Sequence, residues 1–119
     1  MHVIDHSTLP RLYGAGRQRF AAASRQLGAI SVEVWVEMLE ANARAELMPH
    51  GIERVVMVLA GHGNLHVDGA PQRFHAPCSL MLPAGAECEV INIGAESMQL
   101  VVTFLAQPAP AAVGPSPVD

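Results

Sequence analysis

The side chains best suited to chemistry in this sequence are its thiols and imidazoles. Cys78 and Cys88 could pair as a disulfide, but disulfides are rare in reducing compartments, so both are predicted to be free thiols. His62 and His66 lie four residues apart, with His75 further along, a pattern that could indicate a metal site. Because His62 is flanked by glycines and His66 falls within a strand pattern, exposed histidines are the favoured interpretation.

Short strands must position these side chains. From Ile30 to Met38, aliphatic residues at every second position alternate with two glutamates and Trp35. This period of two predicts a strand whose aliphatic residues face the core, and whose Trp35 lies on the polar face. The uninterrupted apolar run at 55–59 predicts a strand buried on both faces.

The rest of the chain repeats this rhythm of strand and turn. The dipeptide Asp68-Gly69 between two strand patterns predicts a tight hairpin. Further short strands are expected at 79–82, 88–92 and 98–104, separated by turns that contain proline or glycine. These elements predict an all-β fold, an antiparallel sandwich or barrel.

The two ends of the chain differ from this strand-rich centre. Residues 1–28 are predicted to form an N-terminal arm that holds either a short helix or an extra strand, and the two alternatives stay open. Residues 29–104 form the predicted barrel. Residues 105–119 are rich in proline and alanine and have little to bury, so a disordered tail is expected. A chain of 119 residues corresponds to one domain.

Two strings in this chain match motifs of a known superfamily. The string 83–92 is Pro-Ala-Gly-Ala-Glu-Cys-Glu-Val-Ile-Asn, and it resembles the second cupin motif, Pro-x-Gly-x2-His-x3-Asn, with Cys88 in place of the histidine. The string from Glu53 to Gly61 resembles the second half of the first motif, Gly-x5-His-x-His-x3or4-Glu followed by a glycine. The chain therefore resembles a small single-domain cupin of the RmlC-like type over residues 29–104, which implies a single antiparallel jelly-roll β-barrel with a pocket inside.

The resemblance also implies a set of metal ligands. Cupins with complete motifs bind a divalent metal through three histidines and one glutamate. Carried over to this chain, the set becomes His50, Glu53, Cys88 and Met48. Thiolate and thioether sulfur are soft ligands that favour copper or zinc, whereas the carboxylate favours iron or zinc. The expected cofactor is therefore Zn, Fe or Cu.

Two registers of the first motif are possible. In the preferred register Met48 and His50 occupy the two histidine positions, and only two residues separate His50 from Glu53. The other register keeps three residues before Glu53 and puts Leu47 and Pro49 in those positions, where neither can bind a metal. The glycine after His50 allows a shortened turn, which favours the first register.

Three functions are compatible with these residues. One is a metal-dependent enzyme of oxygenase, isomerase or lyase type, and without a metal Cys88 beside His50 could act as a nucleophile or redox thiol. Another is a non-catalytic cupin that binds or senses a metabolite in an apolar pocket. The third is a mainly structural dimer. The residues expected to line the pocket are Met57, Val58, Met81 and Val90.

Composition narrows the choice of partners. The sequence has seven arginines, no lysine and 11 acidic residues, for a net charge of −4, so it offers no basic run for nucleic acid or anionic membranes. The N-terminus has neither the basic start nor the apolar stretch of a signal peptide, which favours a cytoplasmic location. A small-molecule ligand is expected, and the strand around Val34 to Val36, with its Trp35, is predicted to mediate a homodimer.

Overall fold

The computed structural model describes residues 3–47 and 49–106, and within these ranges the protein consists of strands, turns and two single-turn 3-10 helices. The strands are β1 (Leu12–Gly14), β2 (Arg17–Ala23), β3 (Val32–Leu39), β4 (Arg44–Leu47), β5 (Arg54–Ala60), β6 (His62–Val67), β7 (Ala70–His75), β8 (Cys78–Leu82), β9 (Cys88–Asn92) and β10 (Met98–Leu105). The 3-10 helices span His6–Thr8 and Arg25–Leu27.

The strands form two antiparallel sheets. One sheet has six strands in the order β1-β2-β3-β10-β5-β8, and the other has four in the order β4-β9-β6-β7. The core lies between them and is almost entirely aliphatic. The prediction of an all-β antiparallel fold of the jelly-roll type is confirmed. In the described ranges, no helix is long and apolar enough to cross a membrane.

The hairpin between β6 and β7 forms at the predicted dipeptide. Val67 lies opposite Ala70, so only Asp68 and Gly69 connect the two strands. Their φ angles are 49° and 84°, and a two-residue type I′ turn requires positive φ at both central positions. Aspartate and glycine tolerate this conformation better than other residues.

Strand β3 has the predicted period but the opposite orientation. Glu37 is 2% exposed and Leu39 is completely buried, and Trp35 packs against the core. Val32 and Met38 instead lie on the outer face, each 38% exposed. The prediction that Trp35 lies on the solvent face was therefore wrong. Alternation fixes which residues share a face but not which face is buried. In this protein the inward polar side chains of β3 form hydrogen bonds with other side chains inside the protein.

Strand β5 is buried on one face only. Val56 and Val58 are completely buried, whereas Met57 is 44% and Leu59 52% exposed. The prediction of a strand buried on both faces was wrong, because no described element covers the outer face of the sheet at β5, where Met57 and Leu59 are exposed. The same orientation corrects the predicted pocket lining, since Met57 points outward, as does Met81 on β8 (60% exposed), while Val90 on β9 is completely buried.

The N-terminal segment adds two strands to the edge of the six-stranded sheet. β2 pairs with β3, and β1 pairs with β2. The two 3-10 helices flank these strands, before β1 and after β2. Most of the tail that was predicted to be disordered, residues 107–119, lies outside the described residues.

Candidate functional site

A cavity of about 560 Å³ lies between the two sheets. Its walls come from β2, β3, β5 and β10 of the six-stranded sheet, from β4 of the other sheet, and from the loop before β5. Pairing between the strands arranges the inward side chains of β5, β10, β3 and β2 in rows across the sheet. One row contains Arg54, Phe104 and Glu33. The cavity is therefore lined by charged and aromatic side chains, which is unusual for the interior of a small domain.

Arg54 is the buried cation of this cavity. It begins β5 on the same face as Val56 and Val58, and it is 6% exposed. Its Nε and Nη2 atoms are buried, and neither has a hydrogen-bond partner among the described residues. A buried charge without a partner costs several kcal/mol. These two nitrogens are the unsatisfied donors of the cavity wall among the described residues.

His50 lies on the wall of the same cavity as Arg54. Its ring centroid is 4.6 Å from that of Phe104, and its Nδ1 accepts the backbone N–H of Ile52 at 3.4 Å. A neutral imidazole that accepts at Nδ1 carries its proton on Nε2. Nε2 is thus available to donate a hydrogen bond to a ligand.

Two polar contacts organise the inner face of β3. Arg17 on β2 donates from Nε to Glu37 Oε2 at 2.6 Å and from Nη2 to Oε1 at 3.2 Å. Trp35 donates from Nε1 to Glu33 at 3.0 Å, and the guanidinium of Arg19 lies 5.2 Å from the Trp35 ring centroid. These contacts explain how a strand can turn two glutamates and a tryptophan inward.

The structure describes three of the four predicted metal ligands, and it places His50 and Cys88 on the walls of two different cavities. His50 lines the cavity of about 560 Å³. Cys88 is 5% exposed and lines an adjoining cavity of about 310 Å³. Glu53 is exposed, immediately before β5. Met48 lies outside the described residues.

The thiol of Cys88 is held in its neutral form. Burial raises the pKa of Cys88, the nearby Arg54 cation partly opposes this rise, and the Asp68 carboxylate adds to it. The Sγ atom lies 3.8 Å from the backbone oxygen of Ala86, to which it donates a weak hydrogen bond. A neutral thiol is a poor nucleophile and a poor metal ligand.

The donors that the structure describes do not fit a Zn, Fe or Cu centre. Within residues 3–47 and 49–106, no group of three or more His, Cys, Asp or Glu side chains is placed to hold a metal ion. The inward position at the start of β5 is occupied by Arg54 rather than by the carboxylate of Glu53. A guanidinium at this position repels a divalent cation.

His62 and His66 are less exposed than predicted. His62 and His66 are both half-buried. The ring of His62 contacts that of His75 edge-on, with centroids 5.1 Å apart, and His66 lines the cavity next to Cys88. The prediction that both are exposed was wrong, because β6 lies in the interior of its sheet between β9 and β7.

Arg54 was not among the predicted site residues. A signal was available, since Arg54, Val56 and Val58 share one face of a strand and two valines at alternate positions suit the core side. Asn92 was noted only as part of a motif. It is completely buried, and it connects the loop after β3 to the loop after β9.

Comparison with known proteins places this geometry in a family. The model of the family described as "Cupin domain" matches residues 35–104. No curated protein sequence matches this chain significantly.

Solved structures share the fold at low sequence identity. An RmlC-like cupin from Shewanella frigidimarina is 18% identical, with a TM-score of 0.73 over 93% of this chain and 94% of that one. A polyketide cyclase from Streptomyces resistomycificus is 13% identical, with a TM-score of 0.74 over 90% and 80% of the two chains. A sugar phosphate isomerase of the cupin superfamily from Silicibacter pomeroyi is 19% identical, with a TM-score of 0.71 over 88% and 76%. The family match covers more than half of the sequence, and the chain belongs to the cupin family.

Proposed function

We propose that this cupin binds a small organic anion in the cavity between its sheets and needs no metal ion to do so. The observation that carries the proposal is the buried guanidinium of Arg54, which has two nitrogens without a partner among the described residues. A carboxylate or phosphate accepts two N–H groups from one guanidinium in a planar, bidentate geometry. Such a ligand would remove the cost of the buried charge.

The surroundings of Arg54 suit an organic anion better than an inorganic ion. His50 offers Nε2 as a further donor, and its ring lies against Phe104. The apolar part of the cavity wall is formed by Phe104, Trp35 and Val102. A volume of about 560 Å³ is in the range of small-molecule sites, which combine apolar walls with a few polar groups.

A binding or sensing role is favoured over catalysis. The thiol of Cys88 is neutral and lines the adjoining cavity. The Glu37 carboxylate is held by Arg17 through both oxygens. Neither group is therefore free to act as a nucleophile or a general base on a ligand that is bound at Arg54.

Titration calorimetry with small carboxylates and with inorganic phosphate tests the proposal. The test variant is Arg54→Gln, and the matched control is Arg73→Gln, because Arg73 is exposed on β7. Loss of a charge-assisted bidentate contact is expected to weaken binding about 10-fold to 100-fold in Arg54→Gln. The control should bind like the wild type.

Two results would contradict the proposal. One is equal affinity of Arg54→Gln and wild type for every anion that binds. The other is the absence of anion binding by the wild-type protein, together with no change in its melting temperature in the presence of any of these anions.

A further inference from the structure

We propose that the ligand of this cavity is an elongated organic dianion, with one anionic end on Arg54 and the other on Arg19. The inference rests on the proposed function, and it adds a second anion-binding end to the same site. The expected ligand of the site is an α,ω-dicarboxylate, or another molecule that carries two similarly spaced anionic groups on an apolar spacer.

Arg19 is the second cation without a carboxylate partner on the cavity wall. It lies opposite Glu37 in the pairing of β2 with β3, but both Glu37 oxygens accept hydrogen bonds from Arg17. The Arg19 side chain takes part in none of the hydrogen bonds or ion pairs described for residues 3–47 and 49–106. Its contact is with the Trp35 ring, at 5.2 Å from the centroid. A cation held against an aromatic face keeps its N–H groups for a ligand.

The strand register places the two cations at opposite ends of the cavity wall. Arg54 belongs to the row of Phe104 and Glu33, whereas Arg19 belongs to the row of Glu37, four residues further along β3. Four residues along a strand correspond to about 13 Å. The three spacings between neighbouring strands from β2 through β3 and β10 to β5 add about 14 Å across the sheet. The two Cα atoms are therefore roughly 20 Å apart. Two arginine side chains that reach into one cavity shorten this gap to a length that a short carbon chain can span.

The row between the two cations is apolar. Val56, Val102, Trp35 and Ala21 lie side by side across the sheet. The apolar row therefore suits a methylene or aromatic spacer. Glu33 is the carboxylate in the same row as Arg54, but Phe104 lies between the two side chains. The Glu33 carboxylate accepts a hydrogen bond from the Trp35 indole N–H. The only ion pair described on this wall is Arg17–Glu37. Glu46 lines the cavity from the opposite sheet but is exposed, so solvent screens its repulsion of an anion that is bound at the two arginines.

Calorimetry with a series of dicarboxylates, from succinate to suberate, tests the inference. Each diacid is compared with the monocarboxylate of the same chain length. The wild type is expected to bind one or two adjacent lengths about 10-fold or more tightly than the matched monoacid. Arg19→Gln should reduce diacid affinity to that of the monoacid and leave the monoacid unchanged. Arg54→Gln should weaken both.

Two controls separate a lost contact from a lost fold. Arg19→Lys keeps the charge and should retain part of the preference for diacids, and Arg73→Gln should retain all of it. The thermal unfolding of each variant is measured beside its binding.

The failures of the two proposals are distinguishable. Monoacid binding through Arg54 without any preference for diacids would overturn the dianion inference and leave the proposed function standing. A preference for diacids that survives in Arg19→Gln would also overturn the inference. If neither class binds the wild type, both proposals fail.

Discussion

Arg17 and Glu37 form an ion pair on the inner face of the six-stranded sheet, with Nε 2.6 Å from Oε2. The two partners differ in burial, since the side chain of Glu37 is 2% exposed and that of Arg17 20%. Glu37 lies on the same face as Trp35 and Leu39. The pair therefore permits a carboxylate to occupy a core position, and it stabilises the orientation of β3 that the hydrophobic pattern alone does not indicate.

Removing either partner should destabilise the fold, but by different amounts. Arg17→Ala leaves a carboxylate buried without a partner and is expected to cost about 3–5 kcal/mol. Glu37→Gln leaves Arg17, which reaches solvent, and should cost about 1–3 kcal/mol. Urea unfolding measures both. A smaller loss in Arg17→Ala than in Glu37→Gln would contradict this account of the pair.

The buried amide of Asn92 gives a second stability prediction. Its Nδ2 donates to the carbonyl oxygens of Leu39, Glu40 and Glu96 at 2.9–3.1 Å, and its Oδ1 accepts the N–H of Gly94 at 2.9 Å. An amide nitrogen has two hydrogens, so one of them is shared.

Asn92→Ala would leave these backbone groups without their partner. The expected loss is about 2–4 kcal/mol, because each unsatisfied buried group costs about 1–3 kcal/mol and water replaces part of it. Urea unfolding of the variant, compared with Gln99→Ala at an exposed position, measures the effect. Equal stability of the two variants would show that the amide is not a structural connector.

Ionisation of Cys88 should make the protein less stable at alkaline pH. Burial raises the pKa of this thiol in the folded protein, whereas a thiol in the unfolded chain titrates near about 8.5. The neutral form is thus favoured by folding. The stability that it contributes is complete below about pH 8.5 and is lost as the pH rises through the higher folded pKa.

Cys88→Ala should therefore flatten the alkaline limb of the stability curve, measured by urea unfolding from pH 7 to pH 10. Burial also raises the pKa of Cys78, so Cys78→Ala is the matched comparison. Because Cys88 is buried and Cys78 only half-buried, the larger flattening is expected for Cys88→Ala. An unchanged slope in Cys88→Ala would contradict the assignment.

Metal ions should not stabilise this protein. A site with a Kd of about 1 μM would add about 2.7 kcal/mol at about 100 μM free metal, which shifts the melting temperature by several degrees for a domain of this size. With Arg54 inside and Glu53 outside, no such shift is expected with Zn, Cu or Fe. Elemental analysis of protein purified without chelators should find far less than one metal per chain. One equivalent of metal, or a shift that disappears in Cys88→Ala, would restore the predicted centre.

The sequence was sufficient to predict an all-β fold of short strands and turns, because those elements depend on local patterns. The Asp68-Gly69 turn could be predicted because few dipeptides adopt positive φ twice in succession. The orientation of β3 could not, because it depends on Arg17, which is 20 residues from Glu37 in sequence. The inward position of Arg54 was missed for a related reason. The motif register was aligned on Glu53, whereas the side chain that faces inward is that of its neighbour Arg54, and a shift of one residue in a strand reverses the face.

We propose that a second copy of the chain covers the outer face of the six-stranded sheet. Trp35, which was predicted to form the dimer contact, packs against the core, and this proposal therefore uses the opposite face of β3 and its neighbours. The exposed large side chains on this outer face are Val32, Met38, Met57, Leu59, Met81 and Leu105. Strands β3, β10, β5 and β8 place no charged side chain on this face, whereas the Arg11 guanidinium lies over the Phe20 ring of β2, towards the other end of the sheet. A contact centred on β10, β5 and β8 would therefore bring apolar side chains together without like charges.

Light scattering tests this dimer and the face that it uses. The wild type should have about twice the chain mass of 12.6 kDa. Met57 pairs with Ser79, and Met81 with Val55, so the two methionines are diagonal neighbours. The double variant Met57→Glu, Met81→Glu should therefore put two charges in the contact and give a folded monomer. Ala70→Glu, exposed on the other sheet, should remain dimeric. A wild-type mass near 12.6 kDa at about 100 μM, far above a micromolar Kd, would exclude the dimer, and a dimeric double variant would move the contact to another surface.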